Sequence, residues 1–151
     1  MTLIILITIV LVMATFFVHQ AALSGLARSI PIGAQSSHPW FYLLMLGIFA
    51  AHIVEIILFA IGFYVADNLF GLGTLEGGSA EGAMGLFYAS AVFYTSLGFG
   101  DVLPNAQLRF LASIEALNGL LLIAWSASFM FAAMNRSWHC FSGKGPDDPP
   151  A

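Results

Sequence analysis

From Leu3 to Leu23 the chain carries no charged side chain, and a helix of about 20 residues at roughly 1.5 Å each covers the ~30 Å hydrocarbon core of a bilayer. Two further runs are as long. Phe41 to Val65 is interrupted only by His52 and Glu55, and a third run extends from about Leu108 to Met134. In lipid a spanning segment must satisfy its own backbone polar groups, so such runs read as helices. The remaining composition agrees: of 151 residues 60% are hydrophobic and 8% charged, with a mean hydropathy of +0.92. The fold class expected is therefore an all-α integral membrane protein. Four Lys and Arg against eight Asp and Glu exclude a nucleic-acid footprint and an arginine-rich voltage-sensing helix. The lone Cys140 cannot close an intrachain disulfide.

The connections set the topology. Residues 24–39, "SGLARSIPIGAQSSHP", are rich in Ser, Gly and Pro and read as a loop, after which Trp40 and Tyr42 mark a headgroup boundary. Met1 and Thr2 offer no basic n-region, so residues 1–23 read as a retained extra helix rather than a signal peptide. Arg28 lies in the first loop, and Arg136 and Lys144 follow the last span. Residues 66–107 hold Asp67, Glu76, Glu81 and Asp101 but no Lys or Arg. Basic loops stay inside, which places the N-terminus outside and the C-terminus in the cytoplasm of a multi-pass cell-membrane protein. Arg109 is the one dissenting charge. Residues 137–151, ending "SGKGPDDPPA", lack apolar periodicity and read as a disordered cytoplasmic tail.

Between the second and third long runs, Ala83 to Tyr94 is apolar but only about a dozen residues, too short to cross. Asp67 and Asp101 belong on one side, so this piece enters and returns as a re-entrant helix, with Ser79 as its N-cap and Glu81 near its first turn. The returning limb is "TSLGFGD", Thr95 to Asp101. An extended limb leaves its carbonyls unpaired, and its glycines permit alternating conformations that turn successive C=O groups the same way. Copies of such a limb around an axis would stack oxygen rings able to replace an ion's hydration shell.

"TSLGFGD" resembles the selectivity filter T-T-V-G-Y-G-D of the potassium channel family. The resemblance extends over residues 40–136, which look like the outer helix (40–65), pore helix (83–95), filter (95–101) and inner helix (108–134) of its bacterial two-span group. It implies a homotetrameric pore in the lipid bilayer that conducts K⁺ passively, with no cofactor beyond K⁺ ions in the filter. Carried over by position, Thr95 and Ser96 stand at the inner end, and the carbonyls of Ser96, Leu97, Gly98 and Phe99 hold K⁺. Gly100 and Asp101 close the outer mouth. Gly119 aligns with the family's inner-helix bend, and Phe131 falls near the inner mouth. Small residues Ala124, Ser128 and Ala132 share one face of that helix.

Three departures bear on selectivity: Ser96 for threonine, Leu97 for valine and Phe99 for tyrosine. Tyr88 and Ala89 occupy the positions from which the family's pore helix braces the filter, so the brace is apolar or rebuilt by Tyr88 and Tyr94. A weakly selective Na⁺/K⁺ cation channel is the alternative, and a non-conducting regulatory subunit a third reading.

Two carboxyls lie inside the spans. Glu55 and Glu115 fall at similar depth by helical rise and are expected to be neighbours, each with a polar companion on its own helix face, His52 at i−3 and Asn118 at i+3. This group reads as a polar cluster fastening helices behind the pore helix, or as a proton sensor. "HIVE" is not H-E-x-x-H, and no second histidine follows at helical spacing, so an enzyme is not expected. His19, His38 and His139 are assigned to the interfaces.

Overall fold

A computed structural model describes residues 1–28, 38–78 and 81–142, with the backbone alone at 38–39 and 136–142. Four helices follow in chain order: α1 (Thr2–Arg28), α2 (His38–Tyr64), α3 (Gly82–Tyr94) and α4 (Leu108–Ser142). Three are long and apolar enough to span a membrane; α3, with 13 residues, reaches only about 20 Å and is not.

Several boundaries move from their expected places. Ser24 to Arg28, expected in the loop, form the last turn of α1. Leu26, Ala27 and Arg28 are good helix formers with no proline among them, and Arg28 complements the helix's negative end. Residues 29–37 lie outside the described residues, as does the expected N-cap Ser79; the residue capping α3 is Glu81, which makes no side-chain cap bond. α2 ends in one π-helical turn, Val65–Leu69. α4 runs past Met134 to Ser142, so the first residues of the expected disordered tail are helical, with no Gly or Pro before Gly143 to stop them. The rest of that tail, 143–151, lies outside the described residues.

α1 packs against α2 and α4, and α3 packs against the same two helices, closing a ring with α1 and α3 at opposite corners. α1 and α2 are antiparallel and touch where glycine admits a leucine: Leu26 lies on Gly47, Leu11 on Gly62. Lipid is as apolar as leucine, so it is this close van der Waals fit that holds the spans together. Ile4, Phe59, Phe63, Leu108 and Leu111 form one apolar cluster, and Leu23, Leu44, Ile48 and Ala133 form another. Ile56, Tyr94 and Leu122 form a third. α1 buries Ile4, Thr8, Thr15, His19 and Leu23, while Met13 and Phe17 on the other side are exposed for lipid.

Outside the helices, β1 (Leu75–Glu76) and β2 (Leu103–Pro104) pair antiparallel, Leu75 opposite Pro104. Asn105 locks this ladder. Its side chain donates to Thr74 Oγ1 (2.8 Å) and Glu76 Oε1 (2.6 Å) and accepts from the Thr74 backbone N–H (2.8 Å).

Candidate functional site

The limb from Thr95 to Asp101 is exposed along its whole length in the single chain. It begins tightly. Thr95 and Ser96 donate backbone N–H groups to Ala91 and Phe93, Leu97 donates to Val92, and the Thr95 hydroxyl bonds the Ala91 carbonyl at 2.7 Å. Beyond that point φ is positive at every second residue: 57° at Ser96, 55° at Gly98 and 82° at Gly100. Glycine takes such angles without cost, whereas Ser96 holds a left-handed conformation against its Cβ. Among the described residues, no backbone hydrogen bond reaches the carbonyls of Ser96 to Gly100.

Both ends of the limb are tethered. At the Asp101 end Val102 is buried, and the Tyr88 hydroxyl donates to Asp101 Oδ2 at 2.8 Å. Accepting that bond, Asp101 pushes the Tyr88 phenol above its usual value near 10, so it remains a protonated donor at neutral pH. Tyr88 thus braces the Asp101 end of the limb, and Phe99 has no hydroxyl to offer.

At the other end Tyr94, the last residue of α3, is 1% exposed. Its hydroxyl donates to Glu55 Oε2 at 2.5 Å. Its backbone carbonyl lies so close to α4 that a Cβ added at Gly119 would overlap it. Gly119 is thus a close-approach glycine between α4 and the end of α3.

Glu55 is the centre of a network that joins all four helices. His19 Nδ1 of α1 donates to its Oε1 at 2.8 Å, and His52 Nδ1 lies 3.1 Å from its Oε2 and 2.9 Å from the Tyr94 hydroxyl. The Ser126 hydroxyl of α4 sits between the two imidazoles, 3.1 Å from His52 Nε2 and 3.3 Å from His19 Nε2. A hydroxyl has one proton, so Ser126 can donate to only one of the two rings. Ligand atoms of His19, His52 and Glu55 lie within 4.8 Å of one another, a spacing open to a metal ion. Every one of them is already engaged in the hydrogen bonds above, so these residues would hold a cation only by giving those bonds up.

Glu55 and His52 are therefore together as expected, while three assignments change. His19 is fully buried, not interfacial. Glu115 makes no bond to Glu55; its Oε1 pairs with the Ser90 hydroxyl at 2.6 Å, while its Oε2 has no partner among the described residues. Asn118 bonds Thr15 Oγ1 of α1 at 3.1 Å instead of Glu115. Ser90 and Tyr94 are one turn apart on α3, so the two carboxyls are separated and each is taken by its own hydroxyl. His38 and His139 have side chains outside the described residues. Phe131 is 66% exposed, and Ala124, Ser128 and Ala132 are exposed on the same helix.

Thr15, Ser90 and Ser126 carry no assignment from sequence, and His19 and Tyr94 take part in a different way from the one expected. A signal for the α1 pair was present: Thr8, Thr15 and His19 interrupt an apolar run at spacings of seven and four, one helix face.

An ion channel family model matches residues 42–136, from the start of α2 through α3 and the 95–101 limb into α4. The chain belongs to this ion channel family. It is a multi-pass membrane protein of a transport family, not an enzyme family, and α1 lies outside the matched stretch. No curated protein and no solved structure matches the channel chain.

Proposed function

We propose that the chain assembles as a homotetramer around one axis and conducts K⁺ passively and selectively, with the carbonyls of Ser96, Leu97, Gly98 and Phe99 as its ion sites. The observation that carries this reading is the alternation of positive φ at Ser96, Gly98 and Gly100 along a limb whose Ser96 to Gly100 carbonyls accept no backbone hydrogen bond among the described residues. Residues of alternating hand turn successive C=O groups to one side, and oxygens so aligned can replace the water around a cation. Leu97 and Phe99, 59% and 64% exposed in the single chain, supply apolar surface for neighbouring copies to cover. The exposed small residues of α4, Ala124, Ser128 and Ala132, suit close helix approach around the same axis. The site is the cell membrane, with the N-terminus outside and the C-terminus cytoplasmic, following the basic loops.

A second reading, a cation channel with weak Na⁺/K⁺ discrimination, is favoured by Phe99, whose ring has no hydroxyl to tether it behind the limb. Reversal potentials of the purified chain in liposomes under asymmetric K⁺ and Na⁺ decide between the two. A potential following the K⁺ gradient is expected; equal permeability supports the second reading, and the absence of cation flux refutes both.

A further inference from the structure

We infer that α1, although outside the matched pore region, is a working part of the pore: His19 positions the 95–101 limb by holding Glu55 in the orientation that grips Tyr94. The inference rests on the reading of that limb as the filter.

Tyr94 sets the position of the limb because Thr95, the next residue, begins it; where Tyr94 sits, the limb starts. It is gripped twice, by the Glu55 carboxyl on its hydroxyl and by the close seat of its carbonyl on Gly119. Both grips lean on α1. His19 Nδ1 holds the other oxygen of Glu55 at 2.8 Å, and Thr15 Oγ1 accepts from Asn118, the neighbour of Gly119, at 3.1 Å. Thr15 and His19 are one turn apart on a single face, and both are 0% exposed. A glutamate has three rotatable side-chain bonds, and its two oxygens here are fixed from opposite sides, by α1 and by α3. Without His19, Oε1 is buried with no donor, and the carboxyl recovers a partner only by turning away from Tyr94. α1 also packs Phe16 against the apolar cluster of Ile56, Tyr94 and Leu122, so the network is its polar route to the limb.

The experiment is the K⁺/Na⁺ permeability ratio of the full-length chain in liposomes, with assembled mass read alongside. His19→Ala is expected to assemble and to lower the ratio about fivefold to tenfold, the effect of one ordinary hydrogen bond lost. His19→Asn, whose Nδ2 falls where Nδ1 was, is expected to restore it. Tyr94→Phe should lower the ratio comparably, and the double variant should lose nothing more, because both changes cut one link. The lipid-facing control Phe17→Ala should match the parent. A His19→Ala ratio equal to the parent's, or losses that multiply in the double variant, would overturn the inference. If His19→Ala fails to assemble, the decision passes to His19→Gln, whose amide reaches past the Nδ1 position, against His19→Asn; equal ratios in that pair also overturn it. A parent chain without selective cation flux is a different result, and it fails the functional reading itself.

Discussion

At its Asp101 end the 95–101 limb is held by polar groups that meet water: Tyr88 on Asp101, and Asn105 bonded to Thr74 and Glu76 across the β1–β2 ladder. At its Tyr94 end it is held by polar groups removed from water: Glu55, His19, His52 and Ser126, gathered from three helices. The numbers of bonds are similar, but the alternatives are not. An outer group that loses its partner finds water. An inner group that loses its partner finds hydrocarbon, so the full desolvation cost remains. The outer anchor should therefore tolerate substitution and the inner one should not.

The largest break is expected from Glu55→Ala, which strips His19, His52 and Tyr94 of their common acceptor. Removing one member of a buried paired set costs about 3–5 kcal/mol, and loss of assembled protein on size-exclusion chromatography would register it. Assembly and melting temperature equal to the parent's would show that the network is idle.

Gly119→Ala ranks next. The added methyl meets the Tyr94 backbone, which cannot rotate aside, so overpacking of about 1–3 kcal/mol is expected in thermal unfolding. Gly47→Ala sharpens the test: there the new methyl meets the δ-carbons of Leu26, and a flexible side chain can yield. The Gly47 variant should be the more stable of the two.

Ser90→Ala probes the second buried carboxyl. Ser90 lies within reach of both the Ile56 carbonyl (2.8 Å) and Glu115 Oε1 (2.6 Å), and the other Glu115 oxygen has no partner among the described residues. Without the hydroxyl the carboxyl has none at all, and about 1–3 kcal/mol should be lost; a Ser90→Thr variant should retain most of it. By contrast Asn105→Ala, at the water-facing anchor, should cost about 1 kcal/mol despite removing more bonds.

The same contrast explains what the sequence made legible. The spans, the re-entrant helix and the glycine limb follow from length, hydropathy and turn residues, which are local properties. Glu55 with His52 was legible because both lie on one helix face. His19 was not, because its partner lies on another helix 36 residues away and lone histidines near span ends are commonly interfacial. Glu115 and Asn118 share a face as well, yet each bonds elsewhere, Glu115 to α3 and Asn118 to α1. Spacing shows which groups can meet on one helix; neighbouring helices decide which do. The helical ends at Arg28 and Ser142 escaped for the opposite reason, since a short stretch without Pro continues a helix as readily as it begins a loop, at the first end even across Gly25.

The smallest effect is expected at the Asp101 end of the limb itself. Tyr88→Phe removes one hydroxyl from Asp101 and leaves the ring of a half-exposed residue in place. Because the folded chain raises the Tyr88 phenol above its usual value, the bond contributes fully below pH 10 and is lost as pH rises through that higher value. The melting-temperature difference between parent and variant should therefore be small and flat from about pH 6 to pH 9, and should vanish only in stronger alkali. A difference as large as that of Tyr94→Phe would break the comparison, because it would mean that water does not replace the lost partner at the Asp101 end.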